Sequence, residues 1–333
     1  MPKLLSAILL MVSIAFTHSS IARPLDKEPG FGLTLAFYAG SRNVESQFTI
    51  HEDNEVRNDS AKSGESIQTP IIFPLGRIQY TFDSLQTQVY LGNSQDQVAT
   101  ARFQYELGFI HQFDNQTKVT VAYFPELSMF NDTWEDPFLT GQARSETEES
   151  TKGGRIAIEQ LFGGPFAFKY AYAANDVENE NSGISQDYLT SQEIESLERD
   201  SAFHRAEVEV LLPVTATLYM RPALKYTVRN ADGEANSYDE YAAQLSVLAV
   251  QGKHTLVSTI SLGMKQFDII NPVFNVKQDS TSLRFFSIYS YKQPFDWESF
   301  SFNIMAGYSQ EDSDIDFYDE SSFIVATGLT YKY

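Results

Sequence analysis

The sequence contains no cysteine among its 333 residues, which excludes disulfides, a lipid anchor on cysteine and thiol chemistry. Long apolar runs are also missing, because only residues 4–16 form one, and a membrane-spanning helix needs about 20 residues. Basic residues are few, 24 against 44 acidic ones, and the net charge is −20. A helical membrane protein, a nucleic-acid-binding protein and a protein docked to anionic lipid through a basic patch are therefore excluded.

Catalytic motifs are missing as well. The chain has no G-x-S-x-G elbow, phosphate-binding loop, H-E-x-x-H pair or dinucleotide fingerprint, so we expect no cofactor and no enzyme. The histidines beyond residue 22 are scattered, at His51, His111, His204 and His254. A hydrolase in which one of them lies beside a serine stays open as an alternative.

The N-terminal segment has the pattern of a secretory signal. Lys3 precedes the apolar run 4–16, and Ser20 and Ala22 are the small residues that a signal peptidase reads. We predict cleavage after Ala22, which divides the chain into a signal peptide, 1–22, and one domain, 23–333.

Residues beyond the signal alternate between apolar and polar side chains over many short segments. Hydrophobic residues make up 42% of the chain, with 25 Phe and 18 Tyr, so disorder is not expected. Alternation with a period of two is typical of strands that have two different faces. We predict fourteen strands, near 31–39, 70–82, 85–92, 98–113, 118–127, 153–162, 166–174, 201–212, 216–228, 238–250, 254–266, 281–292, 299–308 and 322–333.

The last predicted strand places apolar residues on one face and ends on an aromatic residue. Alone, this segment also suits a soluble β-sandwich. In a membrane barrel it is the closing strand, and its pattern is similar to the C-terminal signal read by the barrel assembly machinery of the bacterial outer membrane. The residues of this predicted assembly signal are Phe323, Leu329, Tyr331 and Tyr333.

The connections between the predicted strands alternate between short and long. The long ones hold 32 of the 44 acidic residues but only 8 of the 24 basic ones. Outer-membrane barrels have short periplasmic turns and long extracellular loops. The sequence therefore predicts an all-β fold, a transmembrane antiparallel barrel of about 14 strands with acidic extracellular loops and both termini in the periplasm.

Charged residues within the strands fall on the face opposite the apolar one. Charge on the lipid face at mid-bilayer costs about 2–4 kcal/mol for Arg or Lys, so this face must line the lumen. Facing basic and acidic groups can set the ion selectivity of a pore, although they can equally pair and fill a closed lumen. The candidates are Arg77, Arg102, Glu106, Arg155, Lys169, Arg205, Glu207, Arg221, Lys225, Glu240, Lys265 and Arg284, with Glu159 and Glu209 on the same face.

Three further patterns concern the strand ends and the long loops. Aromatic residues near strand ends, Tyr90 among them, suit the girdles at the membrane interfaces. Loops 125–152 and 175–200 are long enough to fold inward, and TSQEIESLER at 190–199 is either a short capped helix or solvated coil. The last loop could offer oxygen ligands to Ca²⁺, although a solvated acidic loop is the commoner case. The ligand candidates are Asp312, Asp314, Asp316 and Asp319.

Several stretches resemble a family of gammaproteobacterial outer-membrane proteins known mainly as a domain of unknown function. They are KEPGFG at 27–32, FPLG at 73–76, YTF at 80–82, YLG at 90–92, WEDPFLTGQ at 134–142, RSET at 144–147, NPVF at 271–274 and FYDES at 317–321. The resemblance covers nearly the whole chain after the signal. It implies an outer-membrane barrel and brings no known substrate.

Two functions outside catalysis stay open on the sequence. The first is a porin-like channel for passive diffusion of small hydrophilic solutes. The second is a plugged structural or surface-interaction barrel whose loops bind lipopolysaccharide, divalent ions or external partners. In both cases we expect outer-membrane lipid, lipopolysaccharide and the assembly machinery as partners.

Overall fold

The computed structural model describes residues 24–58, 63–93, 105–125 and 132–333. The predicted signal peptide, 1–22, and the lumen candidate Arg102 lie outside these residues. No helix in the described ranges is both long enough and apolar enough to cross a bilayer.

The described chain is built from sixteen antiparallel strands, and β1 pairs with β16 to close the sheet on itself. β6 is a short strand that pairs only with β7 and is not part of the closed wall. β9 and β10 both pair with β11 and together count as one strand of the wall. The wall therefore consists of fourteen strands, which we call staves. The strands are β1 Gly30–Glu45, β2 Ser66–Thr81, β3 Thr87–Gly92, β4 Glu106–Gln112, β5 Lys118–Phe124, β6 Asp132–Trp134, β7 Glu146–Glu159, β8 Phe166–Val177, β9 Ser201–Val210, β10 Leu212–Pro213, β11 Leu218–Ala231, β12 Tyr238–Gln251, β13 His254–Phe267, β14 Ser280–Lys292, β15 Phe300–Ser313 and β16 Glu320–Lys332.

The remaining regular structure lies in the connections. Among the described residues, one short α-helix, α1, spans Ser191–Glu195, and five single turns of 3-10 helix span Glu52–Asn54, Leu161–Gly163, Glu234–Asn236, Pro294–Asp296 and Asp316–Tyr318. The prediction of fourteen strands in an antiparallel barrel is confirmed.

Several strands are longer than the alternation predicts. β1 continues to Glu45 and pairs with β2 as far as Ser66, and β7 begins at Glu146. Apart from the buried Val44 and Ile67, these extensions are mostly polar, and all lie at the end of the barrel that carries the long connections. Backbone hydrogen bonds hold a β-ladder together without an apolar face, so a search for apolar alternation misses them.

The two ends of the barrel differ sharply. Tight turns such as Gly252-Lys253, where Gly252 has φ +59°, join strands at one end, and both described chain ends lie there. We call it the turn end. The opposite end, the loop end, carries the connections 46–65, 93–105, 125–145, 178–200, 232–237, 268–279 and 314–319.

The outer wall is apolar and exposed, as the alternation predicts. Phe31 is 73% exposed and Leu224 69%, and similar residues follow on every barrel stave. β16 presents Phe323, Val325 and Leu329 outward and fits against β1. A closed sheet leaves no unpaired strand edge and can therefore cross lipid. The fold is that of an outer-membrane β-barrel.

Candidate functional site: a charged lumen under a loop cap

One cluster of lumen side chains joins β2, β3, β4 and β7. Glu106 is fully buried and accepts two hydrogen bonds from Arg155, at 2.8 and 2.6 Å, and a third from the hydroxyl of Tyr90. The guanidinium of Arg77 lies 3.7 Å from the centre of the Tyr90 ring. This bidentate pair holds a buried charge in one fixed geometry.

A glycine makes room for this cluster. A Cβ on Gly108 would lie 2.2 Å from the ring of Tyr90, so no other residue leaves space for the ring against β4. Tyr90 is buried in the lumen, and its prediction as a girdle residue is wrong. Its neighbours Val89 and Leu91 face outward instead, as strand alternation requires.

A second cluster follows from strand register. Glu207 of β9 lies directly between Lys169 of β8 and Lys225 of β11, at 3.2 and 3.8 Å. Glu209, two residues on, contacts Lys169 and Arg221, each at 3.3 Å. Opposite charges on adjacent staves thus form a ladder along this wall.

A third cluster lies nearer the loop end. Glu240 contacts Arg205 at 3.5 Å and Arg284 at 4.0 Å. Glu311 contacts Lys265 at 2.6 Å and the same Arg284 at 3.9 Å. Arg284 thereby bridges two carboxylates, and β9, β12, β13, β14 and β15 are tied together across the lumen side of the wall.

The opposite part of the lumen is apolar. Tyr38 of β1, Leu75 of β2, Ile288 of β14 and Met305 of β15 form one buried cluster with Phe286. A Cβ on Gly328 would lie 2.6 Å from the Tyr38 ring, so this glycine of β16 lets the ring pack against the wall.

A cavity of about 630 Å³ occupies the lumen between these walls, towards the turn end. Its ionisable lining comprises six basic residues, Arg77, Lys118, Arg155, Lys169, Lys292 and Lys332, and two acidic ones, Asp26 and Glu159. Lys118 pairs with Glu159 at 2.8 Å. Arg155 and Lys169 are paired with carboxylates that lie behind this lining. The positive excess of the cavity therefore rests on Arg77, Lys292 and Lys332, in a place where water screens charge less than at the surface.

The loop end is covered by a hydrophobic cluster that we call the cap. It is formed by Phe138, Leu197, Ala235, Ile315 and Phe317, with Phe48, Leu189, Ile269, Val273, Phe274 and Tyr318 packed against it. These residues come from six of the seven long connections, which start from staves around the whole barrel. Side chains from opposite sides can meet only over the mouth, so the cap spans it.

Phe317 is at the centre of the cap and is fully buried. Its ring centre lies 5.3 Å from that of Phe138, 5.3 Å from that of Phe274 and 5.6 Å from that of Phe48. The guanidinium of Arg57 lies 4.5 Å from the same ring. Four connections are thus joined through one side chain.

Polar contacts fix the cap loops to one another. The carboxylate of Asp136 accepts hydrogen bonds from the amides of Phe138, Gly183 and Ser185, at 2.9 to 3.0 Å. Arg199 pairs with Glu180 at 2.6 Å and donates to the carbonyl of Trp134 at 2.8 Å. These contacts bind residues 134–138 to residues 180–199.

Arg144 is a buried cation of the loops that form the cap. Its guanidinium lies 4.2 Å from the ring of the fully buried Trp134 and donates to the backbone carbonyls of Gln47 and Asn54. Burial, followed by the neighbouring charge of Arg57, lowers the pKa of Arg144 to about 9. The guanidinium is charged at neutral pH and ties two distant loops together.

Of the two alternatives for 190–199, the short capped helix is the one present, as α1 over Ser191–Glu195. Thr190 caps it, because its hydroxyl accepts from the amide of Glu193 while the Glu193 carboxylate accepts from Thr190. Hydrogen bonds from Thr190 lower the pKa of Glu193. The helix brings Leu197 into the cap, so loop 175–200 folds inward as its length allows.

The structure assembles most of the predicted site residues. The lumen candidates in the described ranges belong to the three clusters, except Glu159, which pairs with Lys118 at the cavity. Their role in selectivity stays a prediction. The acidic candidates for Ca²⁺ are different, because no group of three or more metal-ligating side chains forms in the described chain. Asp312 accepts from Gln310 and Asp319 from the amide of Ser313.

The histidines are also dispersed. His111 bonds to Thr87, His204 to Tyr170 and His254 to Tyr289, while His51 lies beside Asp53. None of the four has a hydrogen bond to a serine within the described residues.

Sequence reasoning missed the cap. Glu311, counted as a loop residue, is on β15 in the lumen, and Phe138 and Phe317 belong to the cap. Trp134 is buried beside Arg144. The available signal was the aromatic content of the stretches 134–142, 271–274 and 317–321, with a proline in each of the first two.

Several solved structures resemble the chain at low similarity. It is 10% identical to an anion-selective porin from Comamonas acidovorans, over 92% of this chain and 100% of that one, with a TM-score of 0.43. The outer membrane channel DcaP of Acinetobacter baumannii gives 8% identity, 91% and 98% coverage and a TM-score of 0.43. OmpT, an outer membrane protein of Vibrio cholerae, gives 12% identity, 90% and 98% coverage and a TM-score of 0.40. At such TM-scores these likenesses do not indicate what passes through this barrel.

The sequence matches none of the curated proteins with which it was compared. Residues 30–332, nearly the whole barrel, match a family described as "Protein of unknown function (DUF2860)". The match includes every barrel stave, the three lumen clusters and the cap. The chain belongs to this family.

Proposed function

We propose that the protein is a porin-like channel of the outer membrane that passes small hydrophilic solutes and prefers anions. The observation that carries the proposal is the lumen cavity of about 630 Å³ with six basic and two acidic lining residues. Charged rings in a narrow pore select ions by sign. A barrel that served only as a wall would not need a cavity of this size and charge.

The proposed orientation places the turn end in the periplasm and the acidic loop end outside. The loops repel anions, but at physiological salt their charge is screened beyond about 8 Å. The lumen charges are partly buried and are screened less. We therefore expect the lining, rather than the loops, to set selectivity, while the loops contact lipopolysaccharide and divalent ions.

The cap implies that passage is gated. Six connections share one apolar cluster over the mouth, so a solute that enters from outside requires the cap to part. Motions of this kind occur on the microsecond to second scale. The channel should therefore switch between closed and conducting states rather than conduct steadily.

The cap also favours a second candidate, a permanently plugged structural barrel. In that case the cap loops form a fixed outer surface for external partners, and the lumen clusters only stabilise the wall. The hydrolase alternative has no comparable support, since no described histidine is bonded to a serine.

Planar-bilayer recording on the folded barrel tests the proposal. With a KCl gradient across the bilayer, we expect discrete openings and a reversal potential showing greater permeability to chloride than to potassium. Replacing Lys292 and Lys332 by Gln should reduce this preference, whereas K253Q, an exposed turn residue that pairs with Asp296 outside the cavity, should leave it unchanged.

Two outcomes contradict the proposal. Silence at every voltage from barrels shown to be folded favours the plugged barrel. Openings that prefer potassium, or a preference unaffected by the double substitution, show that the basic lining does not set selectivity.

A further inference from the structure

The lumen cavity has two chemically different sides. Its apolar lining includes Tyr38, Leu75, Val257 and Ile288, and its charged lining includes the six basic residues named above. A passage used only by hydrophilic solutes has no need of an apolar wall. Leaving apolar area in contact with water is unfavourable by about 25 cal/mol per Å², so an apolar ligand surface that covers the wall would bind there.

The two sides meet on one strand. Leu75 and Arg77 are two residues apart on β2 and both line the cavity, so their Cα atoms lie about 7 Å apart on one face. Ala36 of β1 is paired with Leu75, and Thr34 with Arg77. An apolar surface and a guanidinium are thus presented side by side, at a spacing that one small molecule can span.

Arg77 is positioned for a ligand anion. Its Nε and Nη2 donate to the side-chain oxygens of Gln79 and Gln88, at 2.8 and 2.7 Å, and its plane lies over Tyr90. These partners are neutral, and within the described chain Arg77 forms no ion pair with a carboxylate. Most other cations of the clusters are paired. Arg77 is therefore held in place while its charge stays uncompensated by direct contact.

We infer that the cavity binds amphipathic monoanions, small molecules with a carboxylate or sulfonate group and an aromatic or aliphatic body. The anionic group lies at the guanidinium of Arg77, away from the face that the Tyr90 ring covers, and the apolar body lies against Leu75, Val257 and Ile288. A volume of about 630 Å³ is within the range of small-molecule sites. This inference names the solute class of the proposed channel and rests on that proposal for its role in transport.

Calorimetry on the folded barrel in detergent micelles tests binding without any need for conduction. The probes are benzenesulfonate, methanesulfonate and benzyltrimethylammonium, which separate the anionic group, the apolar body and the sign of charge. We expect benzenesulfonate to bind at least about tenfold more tightly than methanesulfonate, because only it covers the apolar side. The cation should not bind.

Two substitutions divide the site. R77Q should weaken both sulfonates about tenfold, because a charge-assisted contact is lost. The double variant V257T/I288T should weaken benzenesulfonate about fivefold and leave methanesulfonate unchanged. K253Q removes one positive charge away from the cavity and serves as the matched control for both.

The outcomes separate this inference from the proposed function. Equal affinity for the two sulfonates, or binding of the cation as tightly as of benzenesulfonate, overturns the amphipathic site. R77Q binding like the unmodified barrel overturns the placement of the anion. If benzenesulfonate binds as expected and bilayers stay silent, the site stands and the channel proposal fails.

Discussion

Phe317 holds the cap closed, and its truncation to Ala should open the barrel. The side chain is fully buried and contacts aromatic rings from three other connections. Removing a buried Phe side chain costs about 3–5 kcal/mol. If the closed cap loses about 3 kcal/mol relative to the open one, the ratio of closed to open states falls roughly a hundredfold.

Two measurements follow this change. Single-channel recording should show F317A barrels open for a much larger fraction of time than unmodified barrels, with the same ion preference. Hydrogen exchange should show faster exchange of amides in 134–147 and 314–319, while β-wall amides keep their protection. Opening of the cap alone should not alter the wall.

F295A is the matched control. Phe295 is 84% exposed in the turn 293–299 and contacts Trp297 at the other end of the barrel. The same chemical change there should alter neither cap exchange nor open time. If F317A leaves cap exchange unchanged, Phe317 does not hold the cap together. If exchange rises without any gain in conductance, the cap is not the gate.

Three other changes test separate parts of the structure. Arg155→Met leaves the buried carboxylate of Glu106 without its partner and should lower the free energy of unfolding by about 3–5 kcal/mol in urea titrations, whereas adding E106Q should restore part of it. Burial raises the pKa of Asp319, so its protonation favours the folded state. The unfolding midpoint should therefore rise as pH falls through the raised pKa towards the ordinary value of 3.8, and D319N should reduce this rise. T190A removes the N-cap hydroxyl of α1 and should destabilise this helix by about 1 kcal/mol, measured as faster amide exchange at 191–195. An unchanged exchange rate would count against the role of Thr190 as N-cap.

The sequence predicted which residues of the strands face the membrane. Phe31, Leu35 and Phe37 alternate with small or polar residues because lipid contacts one face of a strand and the lumen the other. The same rule placed Arg155 and Lys169 inside. Residue type alone did not place Tyr90, because an aromatic side chain is suited to a girdle or to the lumen. Its side of the wall depends on which residues of β3 alternate outward, and these are Val89 and Leu91.

The ion pairs between lumen side chains depend on the register of neighbouring strands, which the alternation of apolar and polar residues does not determine. Lys169 faces Glu207 because β8 and β9 are paired at that residue, and a shift by two residues would keep the same faces and change every ion pair. Hydrogen-bonded pairing also carries β1 and β2 beyond their apolar segments. Strand lengths at the loop end therefore followed from the fold and not from hydropathy.

The sequence by itself determined that this chain is a barrel with one apolar and one polar surface, since local alternation is sufficient to specify a strand between lipid and lumen. Only the tertiary structure decided that the barrel has a cap and a two-sided cavity. Phe48, Phe138 and Phe317 are far apart in the chain, and nothing local brings them together. Their contact depends on the closed ring of staves, which directs the long connections towards a common centre.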